Sequence, residues 1–227
     1  WVLSNDNFVD MSIIRGCWST GRCWSRIEDF YMRMWPENMS AYNNDSESKP
    51  EIKSGQLVSG TGFFIDKKGY VLTNSHVIDG CKTEKKILQH NVSKDFELVV
   101  EDKSLDLALL KTSMRNKDYL KITKKEVGKL DKVIVAGFPL GKFLSDDLKF
   151  TEGIVSSLKG FQGASHEMQI DAAINSGNSG GPVVNENGEL VGVAVANYGK
   201  NAGVESFNFG IKSSTLKTFA NANGLKF

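Results

Sequence analysis

Residues 169–196 read QIDAAINSGNSGGPVVNENGELVGVAVA, and this stretch decides the fold. Two apolar runs, PVVN at 182–185 and LVGVAVA at 190–196, flank Asn187-Gly188. That dipeptide favours a tight hairpin because both residues tolerate positive φ. The run before it, MQIDAAI at 168–174, ends in the glycine-rich Ser176-Gly177-Asn178-Ser179-Gly180-Gly181. Working outward, the same texture fills most of the chain: GTGFFI, YVLTN, FELVV, LALLK, KVIVAGF, GIVSSL and FNFGI alternate with Gly, Asn and Asp. Short β-rich runs separated by turn residues, without long helical patterns between them, indicate an all-β sandwich or barrel rather than βαβ repeats. Lys67-Lys68-Gly69 is a second turn, and the expected helices are a short one at 75–78 and a tail at 213–223.

The composition agrees. The chain has 227 residues, with 28 basic and 27 acidic side chains, so its formal charge is +1. At about 150 residues per domain, this is one large domain or one with an appendage. A balance so close to zero argues against a polyanion-binding surface, so no nucleic acid partner is expected. Lysines 121, 124, 125, 129 and 132 read as a solvated face. No apolar run approaches the ~20 residues of a membrane span.

The first 53 residues differ. They hold all four tryptophans and only two of the 22 glycines. The polar stretch NMSAYNNDSESKPE at 38–51 reads as a linker, and IEDFYMRM at 27–34 as a short amphipathic helix. We therefore divide the chain into an extension and linker of unknown role, 1–53, and a folded domain, 54–227. Cys17, Cys23 and Cys81 are an odd set, which excludes a disulfide-dense scaffold. Cys17 and Cys23 either close a small loop or stay as thiols. The chain begins with Trp1, and no signal-peptide pattern is visible in it.

The chemistry starts at Ser179. A serine flanked by glycines permits a sharp turn, with its hydroxyl exposed and neighbouring amides free to face a substrate oxygen. A serine hydroxyl needs a base, and imidazole is the base that titrates near neutrality. His90 lies in the charged KILQHNVSK and His166 in the polar loop 160–167. His76 instead ends a β-rich run in LTNSHVI, where its side chain can be aimed rigidly. An imidazole base needs a carboxylate to fix its tautomer. Asp106 stands in SLDLALLK between leucines, a costly place for a carboxylate without a partner. Asp102 is expected to be solvated, and Asp171 to brace the serine loop.

Together GTGFFIDKKGYVLTNSHVI, DLALLK, GFPLG, QIDAAINSGNSGGPVVNENGELVGV and FNFGIKSSTL, in this order over about residues 54–223, resemble the trypsin-like serine proteases, in particular the HtrA-like branch. The order His, Asp, Ser is that of the chymotrypsin fold. The resemblance implies two packed six-stranded antiparallel β-barrels, one over about 54–130 and the other over about 131–227, with the site in the cleft between them. It implies a catalytic triad of His76, Asp106 and Ser179, with an oxyanion hole at Gly177, Asn178 and Ser179. It implies hydrolysis of unfolded or exposed polypeptide in protein quality control, without metal or organic cofactor, and an extracytoplasmic (periplasmic or secreted) location.

Two local features refine this. Digestive members carry an Asp before the nucleophile that captures a new N-terminus; Asn178 has no charge for that, so control by ordering loops 138–152 and 158–168 is expected instead. The residue six before the nucleophile, at the base of the specificity pocket in trypsin, is Ala173. With Ile174, Val193, Ala194, Val195 and Ala196 it suggests a small apolar pocket, narrowed or polarised by Asn197, and cleavage after Val, Ala, Ile or similar residues. Substrate backbone is expected to add along the strand edge near 195–197. Many HtrA-like proteins carry a PDZ domain after the protease, and none is present up to Phe227. Their trimerisation segment is not recognisable in 1–53, which leaves a homo-oligomer open. The competing class is a latent protease fold that binds client peptides, against which the intact triad speaks. A phosphate loop is excluded because no Lys-Ser/Thr pair follows the glycines.

Overall fold

A computed structural model of the chain describes residues 8–10, 16–17, 23–24, 60–79, 86–89, 92–115, 118–139, 147–175, 177–198 and 207–225. The expected helix at 27–34, the linker at 38–51 and His90 lie outside the described residues.

The first barrel contains β1 (Phe8–Asp10), β4 (Thr61–Phe64), β5 (Tyr70–Thr73), β6 (Lys86–Gln89), β7 (Val92–Asp102) and β8 (Leu107–Thr112), closed in the order β1-β4-β5-β8-β7-β6. The second contains β9 (Lys132–Gly137), β10 (Lys149–Ser157), β11 (Glu167–Ile170), β12 (Pro182–Val184), β13 (Leu190–Tyr198) and β14 (Phe207–Lys212), closed as β10-β11-β14-β13-β12-β9. Every pairing of neighbours is antiparallel. A separate two-stranded ribbon, β2 (Gly16–Cys17) and β3 (Cys23–Trp24), has Cys17 in register with Cys23. Among the described residues the α-helices are α1 (Ser75–Ile78) and α2 (Ser213–Ala222).

Unbroken apolar runs such as LALL at 107–110 arise because both strand faces are buried. Leu107 and Leu109 face a core shared by the two barrels, whereas Ala108 and Leu110 fill the inside of the first. Phe63 and Phe64 divide in the same way. In the second barrel, Val133, Val135 and Val183 point inward and Ala136 and Val184 point to the shared core. Leu216 and Phe219 of α2 seal that core. Alternation along each strand thus builds three cores: one inside each barrel and one between them.

Both expected turns form. Gly69 sits at φ 94, and the Asp66 carboxylate accepts the Lys68 and Tyr70 amides at 2.9 Å each. In the second hairpin Gly188 has φ 75, and Asn185 Oδ1 accepts the amides of Asn187 and Glu189 at 3.0 and 2.9 Å. Two strands depart from the sequence reading. KILQ, read as part of a charged stretch, is β6, because its neighbours β7 and β1 supply hydrogen-bond partners that the sequence does not reveal. β1 comes from within the stretch set apart as an extension, and it closes the first barrel between β4 and β6.

Candidate active site

The site forms where loops of the two barrels meet. α1 carries His76 off the end of β5, and the turn 103–106 carries Asp106 between β7 and β8. His76 Nδ1 lies 2.7 Å from Asp106 Oδ2, and the His76 backbone N–H donates to Asp106 Oδ1 at 2.9 Å. A carboxylate only accepts, so Nδ1 carries the proton and Nε2 is left as the basic nitrogen. The ring is open to solvent, with 45% of its side chain exposed.

The Asp106 backbone holds the same helix. Its carbonyl accepts the Ser75 N–H at 3.2 Å and Asn74 Nδ2 at 2.9 Å. Asp106 does this at φ 53, a left-handed conformation that Asp tolerates better than most residues. Asp102, expected to be simply solvated, shapes this turn: its Oδ1 accepts the Ser104 amide, the Ser104 hydroxyl and the Leu105 amide at 2.9, 2.6 and 3.0 Å. The Ser104 hydroxyl, followed by the Leu105 amide, holds the Asp102 carboxyl below its ordinary range. The spacing Asp-x-Ser was the signal in the sequence.

Ser179 comes from the second barrel and is 3% exposed. Its carbonyl accepts the Thr61 N–H of β4 at 2.8 Å, and Gly180 N–H donates to Ala194 O of β13 at 2.9 Å. Gly180 sits at φ 81, where a Cβ would stand 2.3 Å from both Thr61 O and Thr73 Oγ1 and 3.0 Å from Asn74 N. The nucleophile candidate is thus locked against the segment that leads into His76.

Gly177 (φ 103) shapes the turn before Ser179. The Asn178 N–H donates to Asn175 O at 2.9 Å, so it is spent inside the turn and leaves the expected set of oxyanion donors. Among the described residues, the Gly177 and Ser179 amides have no partner. Thr61, which the sequence reading missed, orients this turn. Its fully buried hydroxyl donates to Gly177 O at 2.7 Å and accepts the Phe138 N–H at 3.0 Å.

The expected pocket residues divide between two cores: Ile174 and Ala194 pack inside the second barrel, Val193 and Val195 between the barrels. Ala173 is exposed, and Thr151 Oγ1 donates to its carbonyl at 2.7 Å. Ile174, Val193, Ala194 and Val195 are buried, at 2%, 0%, 0% and 5%. Ala196 and Asn197 lie where the β13–β14 register shifts. β12 pairs with β13 only as far as Val193, so among the described strands the opposite edge at 195–197 carries no partner. Asp171 braces the loop as expected, its Oδ1 accepting the Ile154 N–H at 2.5 Å. His166 stands apart, 3.8 Å from Glu167. Lys132 meets Glu152 and Glu186 at 3.8 and 3.5 Å, in keeping with a solvated charged face.

Residues 60–193 match the trypsin-like peptidase domain. The chain belongs to this family. Within the trypsin-like peptidases it falls in the HtrA-like branch. It is 34% identical over 198 residues to a probable periplasmic serine endoprotease, DegP-like, of Bartonella henselae, covering 84% of this chain and 37% of that protein. A protein of the same name from Brucella suis is 33% identical over 198 residues, covering 84% of this chain and 38% of the relative. The magnetosome formation protease MamE of Magnetospirillum gryphiswaldense is 33% identical over 205 residues, covering 83% and 25%. The chain thus spans between a quarter and two fifths of the length of these relatives. No helix among its described residues is long and apolar enough to cross a membrane.

Proposed function

We propose that this trypsin-like domain is a serine endopeptidase that cleaves unfolded or exposed polypeptides through His76, Asp106 and Ser179. The observation that carries the reading is the two-point hold of Asp106 on His76. With Nδ1–H fixed, Nε2 takes the proton of Ser179 as its oxygen attacks the peptide carbonyl. The same nitrogen returns the proton to the leaving amine. The negative oxygen of the tetrahedral intermediate is met by the Gly177 and Ser179 amides. Losing one such donor typically costs ~10²–10³ in rate. Water then hydrolyses the acyl-enzyme by the same route in reverse.

In this reading Ala173 and the buried Ile174 line a small pocket that favours a small to medium apolar side chain at P1, the residue on the amino side of the cut bond. Substrate backbone adds to the unpaired edge at 195–197. The names of the DegP-like relatives, periplasmic serine endoproteases, support an extracytoplasmic place; the quality-control role is what the resemblance to the HtrA-like branch implies.

Labelling by a fluorophosphonate probe tests the reading. The native chain should label and degrade casein, and Ser179→Ala and His76→Ala should do neither. An unlabelled native chain that binds casein without cutting it would instead establish a peptide-binding module.

A further inference from the structure

Asn208 is the second residue of β14 and lies between the two segments that form the proposed pocket. On one side it stands in register with Ile170, immediately before the loop that carries Ala173 and Ile174. On the other, its neighbour Phe209 is in register with Val195 of β13. Gly210, two residues on and so on the same face, looks towards Met168 and Val183 inside the second barrel. Asn208 therefore points to the inner end of that barrel, and it is only 9% exposed.

Its amide is half satisfied. Nδ2 donates to Ala172 O at 2.9 Å, whereas Oδ1 is buried and accepts nothing among the described residues. Turning the amide over would set its oxygen against the Ala172 carbonyl, so the free group is the oxygen. Ile170 and Ala172 beside it have no side-chain donor to offer. A buried acceptor without a partner favours whatever ligand brings a donor.

We infer that Asn208 sets specificity at the base of this pocket, its Oδ1 accepting a hydrogen bond from the substrate side chain, so that threonine at P1 is preferred to the isosteric valine. This rests on the peptidase reading above and deepens it. The pocket keeps its small size, and the free oxygen adds a demand for a hydroxyl. Valine fills the same space but leaves the acceptor unpaired, which corresponds to roughly tenfold in kcat/KM.

The experiment compares two fluorogenic peptides that differ only in threonine or valine at P1. They are cut by the full chain and by Asn208→Leu and Asn208→Gly, with active sites counted by fluorophosphonate. The native chain should favour threonine by about tenfold, and the ratio should fall to one or below in the variants. A ratio taken within one preparation does not move with the fraction folded, and Asn208→Gly serves if the leucine variant does not fold. A ratio that is equal in native chain and variants overturns the role of Asn208 and leaves the peptidase standing. Labelling without cleavage of either peptide overturns the small pocket, and with it this role. Absence of both labelling and cleavage overturns the peptidase reading itself.

Discussion

Asp106 holds His76 twice, ring to carboxylate at 2.7 Å and backbone N–H to carboxylate at 2.9 Å. α1 has only four residues, too few for its own hydrogen bonds to fix it in space. Its position is set from outside, by the Asp106 side chain and by the Asp106 carbonyl, which takes the Ser75 amide and the Asn74 side chain. Ser75 adds a further tie, its hydroxyl donating to Glu101 Oε1 of β7 at 2.6 Å. The imidazole is therefore oriented before any substrate arrives.

Asp106→Asn should separate this orientation from the fold. Asn fills the same volume and also tolerates φ 53, so the thermal midpoint should change little. Its amide can hold the opposite ring tautomer, with the proton on the nitrogen that must accept one. Peptide hydrolysis should fall by roughly 10⁴ in kcat. A loss below tenfold would mean that Asp106 does not set the tautomer.

Thr61→Val removes a hydroxyl that serves two backbone groups, Gly177 O and Phe138 N–H. Each buried group left unpaired costs about 1–3 kcal/mol, so urea unfolding should show a clear loss. The turn that presents the Gly177 and Ser179 amides should also loosen, lowering kcat about 10–100-fold with little change in KM, since a donor aimed at the developing oxyanion acts mainly in the transition state. Thr61→Ser should restore most of both.

Gly180→Ala places a Cβ 2.3 Å from the Thr61 carbonyl at a backbone φ of 81. Neither neighbour can retreat, because Thr61 is itself bonded to Ser179 and Thr73. Destabilisation of more than about 2 kcal/mol is expected, with loss of fluorophosphonate labelling. Calorimetry that showed a native midpoint would contradict the packing of this turn.

Asp102 titrates below its ordinary value because the Ser104 hydroxyl and then the Leu105 amide bond its charged form. Its contribution to stability is therefore present above the unfolded carboxyl pKa of about 4, and is lost as pH falls through the lower folded value. Ser104→Ala should raise the Asp102 titration, as followed by carboxyl NMR. It should also lower the urea midpoint at neutral pH, and the difference from the native chain should vanish in acid.

Much of this was legible in the sequence. The runs at 62–65, 107–110, 133–138 and 190–195 were recognisable because burial on both faces excludes polar residues from them. Gly69 and Gly188 marked turns because their φ of 94 and 75 suits few other residues. His76, Asp106 and Ser179 stood out as polar side chains in apolar or glycine-rich surroundings, where a side chain needs a reason. β6 was hidden because Lys86 and Gln89 give KILQ no alternating pattern. Thr61 was hidden because a threonine beginning an apolar strand has no sign of its distant partners, 116 and 77 residues away.

The sequence by itself determined the all-β class, the hairpin turns and the three residue types that the chemistry needs, since these depend on local conformational preference and on which side chains water excludes. Only the tertiary structure decided that β1 closes the first barrel, that Asn178 spends its amide inside the turn, and that Asn208 is left with an unpaired buried oxygen. Each of these depends on which hydrogen-bond partners a closed barrel brings within reach, and that is a property of the whole chain's path rather than of any one stretch.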